Sequence, residues 1–149
     1  MIREGLPADL PAMTAVRTSV RENHMSVEQM RARGITPEKT LADMASGELG
    51  CWVAEQHGQI VAFAMADRRG GRLWALFTHL GHEGRGHGTA LLDRAENWLR
   101  QQSLARAELN TARNSTAHRF YLRRGWREIT GKADDPEDVV LEKALASTR

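Results

Sequence analysis

Glu83-Gly84-Arg85-Gly86-His87-Gly88 lies between the apolar run Leu73-Trp74-Ala75-Leu76-Phe77-Thr78 and the segment Thr89-Ala90-Leu91-Leu92. The pattern reads as a strand, a glycine-rich turn and an amphipathic helix. Glycines let the backbone turn sharply and come close to a ligand without Cβ clashes. The first N–H groups of a helix have no acceptor within it. Together with the helix dipole they form an anion site suited to phosphate, and Arg85 can add charge. The spacing Gly84, Gly86, Gly88 lacks the Gly-Lys-Ser/Thr ending of a Walker loop and does not fit G-x-G-x-x-G. Taken alone, the loop also admits a simple strand-to-helix turn with no ligand.

Working outward, His87 to Ser103 is expected to be a helix with Leu91, Leu92, Ala95, Trp98 and Leu99 as its apolar stripe. Arg72 to Thr78 is nearly continuous in apolar character, as in a strand covered on both faces. Upstream, Cys51 to Glu55 and Ile60 to Ala66 form a hairpin around Gln56-His57-Gly58-Gln59, and Arg68 to Gly71 makes the next turn. Met1 to Glu4 reads as a first strand. Asp9 to Arg21 reads as a helix with Leu10, Met13, Val16 and Val20 on one face. Ser26 with Gln29 has the capping-box pattern, Thr36-Pro37 marks another helix start, and Gly47 and Gly50 close that stretch.

Downstream, Arg106 to Thr111 is a strand. Ser115 to Arg124 is a helix capped by Asn114 or Ser115 and stopped by Gly125. Trp126 to Thr130 and Asp138 to Glu142 are the last strands, and the acidic loop Asp134-Asp135-Pro136-Glu137-Asp138 reads as solvated. Cys51 reads as a small buried hydrophobe.

A length of 149 residues suits one domain, 1–149, with a core of its own. No stretch approaches the roughly 20 apolar residues of a membrane span, and Met1-Ile2-Arg3-Glu4 lacks a signal core. The single cysteine excludes an intramolecular disulfide. A cytoplasmic protein without membrane contact is therefore expected. The 21 basic and 19 acidic residues and 5% aromatics argue against a nucleic-acid surface, which needs a broad basic face with exposed aromatics. Arg113, Arg119, Arg123, Arg124 and Arg127 cluster late in the chain, as a solvated helix face or a patch facing phosphates. The histidines offer no His-x-x-x-His pair with a supporting acid, so no metal is expected.

Leu76 to Leu92 resembles the central motif of the GNAT acetyltransferases, in which a strand ending Leu-x-Val leads to (Gln/Arg)-x-x-Gly-x-(Gly/Ala). Glu83 stands at the Gln/Arg position, Gly86 and Gly88 at the glycine positions, and Thr78 replaces Val. Asn114-Ser115-Thr116-Ala117-His118-Arg119-Phe120-Tyr121-Leu122-Arg123-Arg124-Gly125-Trp126 is similar to the family's Asn-x-x-Ala-x-x-Phe-Tyr-x-x-x-Gly-Phe. The resemblance spans essentially the whole chain. It implies an α/β (α+β) GNAT fold: a central mixed, mostly antiparallel, twisted sheet of six to seven strands. About four helices flank it, and it is splayed between the fourth and fifth strands.

It further implies acetyl-CoA as donor and a primary amine as acceptor. Backbone groups of Phe77 and Thr78 would bind the pantetheine arm. Amides of Gly84, Arg85, Gly86, His87, Gly88 and Thr89 would hold the pyrophosphate, with the Glu83 side chain turned away. Asn114 would contact the pantetheine side with Ala117 and Phe120 packing nearby, and arginines of the last helix would meet the 3′-phosphate. Tyr121 matches the general-acid position, and an N–H near Thr78 is the natural oxyanion donor. No base is assigned: Arg72 to His79 contains no carboxylate, leaving Glu22, His24, Asp67 and His79 as candidates. The acceptor is expected between the N-terminal helices and the sheet, near Glu22, Asn23 and His24. A small-molecule amine is the expected acceptor. A protein amine, or a regulatory module that has lost catalysis, remains the alternative. Homodimers are common in this fold.

Overall fold

The computed structural model describes residues 1–145. Seven strands form one sheet in the order β1-β2-β3-β4-β5-β7-β6. They are β1 (Ile2–Glu4), β2 (Leu49–Gln56), β3 (Gln59–Asp67), β4 (Arg72–Thr78), β5 (Arg106–Ala112), β6 (Arg127–Glu128) and β7 (Asp138–Ala144). The helices are α1 (Leu10–Ser19), α2 (Val27–Ala32), α3 (Pro37–Ser46), α4 (His87–Gln101) and α5 (Thr116–Arg123), with a 3-10 turn at Pro7–Asp9. The described residues thus hold five α-helices, in keeping with the roughly four expected. No helix among the described residues is long and apolar enough to cross a membrane.

Local chemistry explains most of the element ends. His57 and Gly58 both have positive φ, 53° and 77°, the two-residue turn whose twist matches a hairpin. Ser26 and Gln29 cap α2 reciprocally at 3.1 and 2.8 Å. Thr36 accepts the Lys39 N–H at the start of α3, and Gly47 ends that helix at φ 81°. Several expected bounds shift: the strand expected over Trp126 to Thr130 is only Arg127–Glu128, α4 ends at Gln101 rather than Ser103, and β7 runs on to Ala144. Helix α1 stops at Ser19 rather than Arg21, because Val20 is extended. Gly50 lies inside β2 rather than after the helix. A Cβ there would come within 2.6 Å of the Trp52 ring and 3.0 Å of Trp98, so this glycine lets α4 approach the sheet.

One face of the sheet packs against α4 and α5, where Leu91, Leu92 and Leu99 meet Val61, Leu109 and Leu141. The other face takes Met13 and Val16 of α1 onto Cys51, Val53, Phe63 and Met65. Cys51 is buried as expected, and burial pushes its thiol up to about 12. The apolar stripe of α4 has a charged neighbour that the sequence reading missed. Glu96 is buried, accepting from Trp126 Nε1 at 3.1 Å and Lys143 Nζ at 2.9 Å. Lys143 also donates to the Arg124 carbonyl at 2.8 Å, so the network ties α4 to β7 and to the end of α5. A buried charge is tolerable when it is paired in this way.

The fourth strand is not covered on both faces, contrary to expectation. Trp74 is 40% exposed. Ala75 pairs with Met65 and Leu73 with Ala66, so Trp74 is the extra residue of a β-bulge. A bulge bends its strand and raises the local twist. Strands β4 and β5 share a single parallel register pair, Arg72 with Glu108. The junction is braced by the Glu108 N–H on the Gly71 carbonyl at 2.9 Å and by Arg72 on Asn110 at 3.0 Å. Past that pair the strands part.

Candidate functional site

The gap between β4 and β5 opens into a cavity of about 470 Å³ that continues beneath α1 and α2. Leu76 and Phe77 line it from β4, Leu109 and Thr111 from β5, and Ala117 and Tyr121 from α5. The His79 N–H donates to Val61 on β3. Thr78 faces Ala62, Phe77 faces Phe63 and Leu76 faces Ala64 without interruption. Alternation along an antiparallel ladder therefore turns the Phe77 amide and carbonyl toward β3, and those of Leu76 and Thr78 into the gap. Of the two residues expected to offer backbone groups to the pantetheine arm, Thr78 turns its amide and carbonyl into the gap while those of Phe77 face β3, and those of Leu76 also face the gap. The Phe77 ring lies against Phe63, at 5.9 Å between centroids.

The glycine-rich loop follows at the open end of β4. Gly84 and Gly86 have φ of 77° and 85°, the left-handed region that glycine enters without strain. Gly86 is the N-cap of α4, and no side chain caps that helix. Gly88 sits under Phe120, whose Cζ would be 3.5 Å from an added Cβ. The Glu83 carboxylate accepts the Gly81 N–H at 2.8 Å, so the acid is engaged by its own loop. Arg85 donates to Gln56 at 3.2 Å. Thr89 accepts from Arg124 at 2.6 Å, and the Arg124 guanidinium stacks on Phe120 at 4.2 Å. His87 Nε2 and Arg124 Nε are buried without a hydrogen-bond partner among the described residues. Burial holds the His87 imidazole below its usual pKa. An uncapped helix start, open glycines and orphaned nitrogens fit a phosphate-bearing ligand.

On α5, Ser115 accepts the His118 N–H at 3.0 Å and forms the cap. Asn114 adopts φ 63°; its N–H donates to His118 Nδ1 at 2.9 Å and its carbonyl accepts from Arg119 at 2.7 Å. Ala117 and Tyr121 are one turn apart, which puts both on the cavity wall. The Tyr121 ring meets Phe120 and Trp126 at 5.3 and 5.7 Å, edge to face. Its hydroxyl makes no hydrogen bond to the described residues, and burial pushes the phenol well above its ordinary pKa. The late arginines do not form one patch. Arg113 pairs with Glu128 and Arg127 with Glu142, leaving Arg119 and Arg123 on α5 and Arg124 at its C-cap.

The segment after α1 crosses from the α1 side to β5. Asn23, at φ 57°, accepts the Ala112 N–H at 2.9 Å and donates to Thr111 Oγ1 at 3.3 Å. Glu22 accepts the Thr116 N–H at 3.0 Å, which holds its carboxyl below the usual range, with Arg119 adding to the effect. Asn23 and His24 line the cavity and Glu22 does not. His24 Nδ1 lies 2.9 Å from the Val20 carbonyl. The two other base candidates are off the cavity wall: Asp67 binds Arg69 at 2.8 Å, and His79 contacts the Leu80 carbonyl at 3.0 Å. Conversely, the acidic loop is not merely solvated, because Asp135 and Asp138 line the cavity. Burial and the neighbouring Asp135 raise the Asp138 carboxyl above its ordinary pKa. Arg17 was also missed; it stands in the last turn of α1, 4.0 Å above the Phe77 ring.

Solved structures share this architecture. PaiA N-acetyltransferase from Thermoplasma acidophilum, in complex with coenzyme A, is 20% identical with a TM-score of 0.78, covering 97% of this chain and 98% of its own. Ribosomal-protein-alanine N-acetyltransferase from Brucella melitensis is 19% identical with a TM-score of 0.73, covering 97% and 99%. Nourseothricin acetyltransferase is 17% identical with a TM-score of 0.71, covering 98% of each chain. No curated protein matches the sequence significantly. Residues 16–126 match the acetyltransferase (GNAT) family. With the splayed sheet and the uncapped glycine turn in place, that match makes the chain a member of the GNAT acetyltransferase family.

Proposed function

We propose that the protein transfers an acetyl group from acetyl-CoA to the primary amine of a small molecule, directly and in a ternary complex. One observation carries this reading. The gap between β4 and β5 runs without a break into the space under α1 and α2, and Tyr121 stands on its wall. A donor entering from the loop side and an acceptor under the helices would meet there.

Bound acetyl-CoA supplies an activated acetyl thioester. The gap-facing N–H and C=O groups of Leu76 and Thr78 hold the pantetheine arm as a neighbouring strand would. The Thr78 N–H stabilises the negative charge that develops on the carbonyl oxygen. Amides of Gly84, Arg85, Gly86, His87, Gly88 and Thr89 receive the pyrophosphate at the start of α4. Asn114, Ala117 and Phe120 flank the arm from α5, and Arg119, Arg123 and Arg124 are at hand for the 3′-phosphate. As the amine nitrogen bonds to the acyl carbon and the carbon–sulfur bond breaks, the Tyr121 hydroxyl gives its proton to the departing sulfur. The amine's surplus proton leaves to water. The raised phenol pKa favours this role, because it keeps Tyr121 protonated through the neutral range.

The roof over the cavity supports a small acceptor. Asn23 fastens the segment after α1 to β5, and Val27 and Met30 of α2 line the cavity beside it. Related folds include enzymes named for a ribosomal-protein alanine and for nourseothricin, so fold alone does not choose the acceptor. The test is acetyl-CoA titration followed by amine-dependent release of free CoA thiol across a panel of small amines and peptides. Saturable binding and faster release with small amines are expected. Failure of acetyl-CoA to bind at physiological concentrations sinks the reading, and faster release with peptides replaces the small acceptor by a protein one.

A further inference from the structure

Resting on the acetyltransfer reading, the charges inside the cavity narrow the acceptor. Arg17 is half-buried on the cavity wall, stacked on Phe77 at 4.0 Å. Its one hydrogen bond among the described residues goes to the Asn23 carbonyl at 2.7 Å, and it has no carboxylate partner there. Burial and the nearby Arg33 cation both lower its pKa, which marks the two guanidinium groups as neighbours. Arg33 also lines the cavity and likewise forms no ion pair among the described residues. Taking a cation partly out of water next to a second cation is costly without an opposite charge. Seven other arginines, Arg3, Arg68, Arg69, Arg72, Arg106, Arg113 and Arg127, each pair with a carboxylate.

Asp135 and Asp138 line the same cavity, and the Arg33 cation acts on Asp138 across it, opposing the rise of its carboxyl, but no ion pair forms between these acids and Arg17 or Arg33 among the described residues. The cavity therefore holds positive and negative groups that do not pair directly with one another among the described residues. A ligand carrying both signs would satisfy both.

We infer that the acceptor amine also carries an anionic group, a carboxylate or a phosphate, which Arg17 and Arg33 bind inside the cavity. A guanidinium presents paired donors to either group. Asp135 and Asp138 supply the negative pole that suits the ammonium form in which such an amine arrives.

Matched pairs of amines test this. L-phenylalanine and L-methionine are each compared with their α-carboxamides, β-alanine with its amide, and phosphoethanolamine with ethanolamine. The readouts are kcat/KM with saturating acetyl-CoA and thermal stabilisation of the CoA-bound protein. The anionic member of at least one pair should be favoured about ten- to hundredfold, the range of one or two charge-assisted hydrogen bonds. The carboxylate and phosphate arms identify the group. In Arg17→Gln the preference should collapse toward one, and Arg17→Lys should restore part of it. Arg33→Gln, altered on an exposed helix end, should weaken it independently of any folding defect at Arg17. Equal or inverted preference in every pair overturns the inference while leaving acetyl transfer standing. So does a preference that survives both Gln variants in folded protein. Failure of acetyl-CoA to bind overturns the parent reading and this inference with it.

Discussion

The proposed donor side and the proposed acceptor side of the cavity are made of different materials. On the donor side the polar groups are mainly backbone: the free edge of Leu76 and Thr78, and the amides at the uncapped start of α4. On the acceptor side they are side chains brought from distant parts of the chain: Arg17, Asn23, Arg33, Asp135 and Asp138. Backbone groups lie wherever the fold puts them, so a site built on them changes little when side chains change. A wall of side chains can be rewritten one residue at a time without disturbing the sheet. The two halves suit one constant ligand and one variable ligand.

Tyr121 stands where the halves meet, and removing its hydroxyl should have the largest effect. Tyr121→Phe should lower kcat by about 10²- to 10³-fold, as for loss of a general acid, with acetyl-CoA affinity nearly unchanged. Steady-state kinetics beside a binding titration check this, and unchanged turnover removes Tyr121 from the mechanism. Because the phenol lies above its ordinary value, the wild-type kcat should show no loss from this group until beyond about pH 10.

Next is the donor side alone. Gly86→Val forces a β-branched residue to φ 85°, with a strain of at least about 1–2 kcal/mol. Acetyl-CoA affinity should fall about ten- to thirtyfold while the acceptor KM holds. A change in acceptor KM alone would erase the distinction between the halves.

The acceptor side gives the mirror result. Asn23→Ala loses the bonds to Ala112 and Thr111, which should cost about 1–2 kcal/mol of stability. The acceptor KM should rise severalfold and donor affinity should stay the same, as measured by thermal melts and kinetics.

The smallest effect belongs to Cys51. Its thiol is buried against Met13 and pushed up to about 12. Cys51→Ala should change kcat/KM less than about twofold, and the folded wild type should resist thiol reagents.

The sequence displayed one half better than the other for the same reason. Gly84 to Gly88, Ser26 with Gln29, and His57-Gly58 act over a few residues, so their spacing can be read directly. The clasp from Asn23 to Ala112 spans 89 positions, and nothing near Asn23 announces it. Arg17 reads locally as a cation suited to a helix C-terminus, and only the fold brings it over Phe77. The Trp74 bulge hides within an apolar run, because register is set by β3 and not by β4 itself. Glu96 looks like a polar neighbour of a stripe until Trp126 and Lys143 arrive from elsewhere in the chain. Asp135 and Asp138 belong to a loop whose composition says solvent and whose path says cavity wall.

The parted strands also leave a signature in hydrogen exchange. Along β4 and just past its end, the amides of Phe77 and His79 lie toward β3 and should take up deuterium slowly, whereas those of Leu76 and Thr78 have no strand beside them and should exchange fast. A two-residue comb of protection is therefore expected in the free protein. A donor lying in the gap would fill its missing teeth, so the exchange pattern of one short peptide would report occupancy without any catalysis.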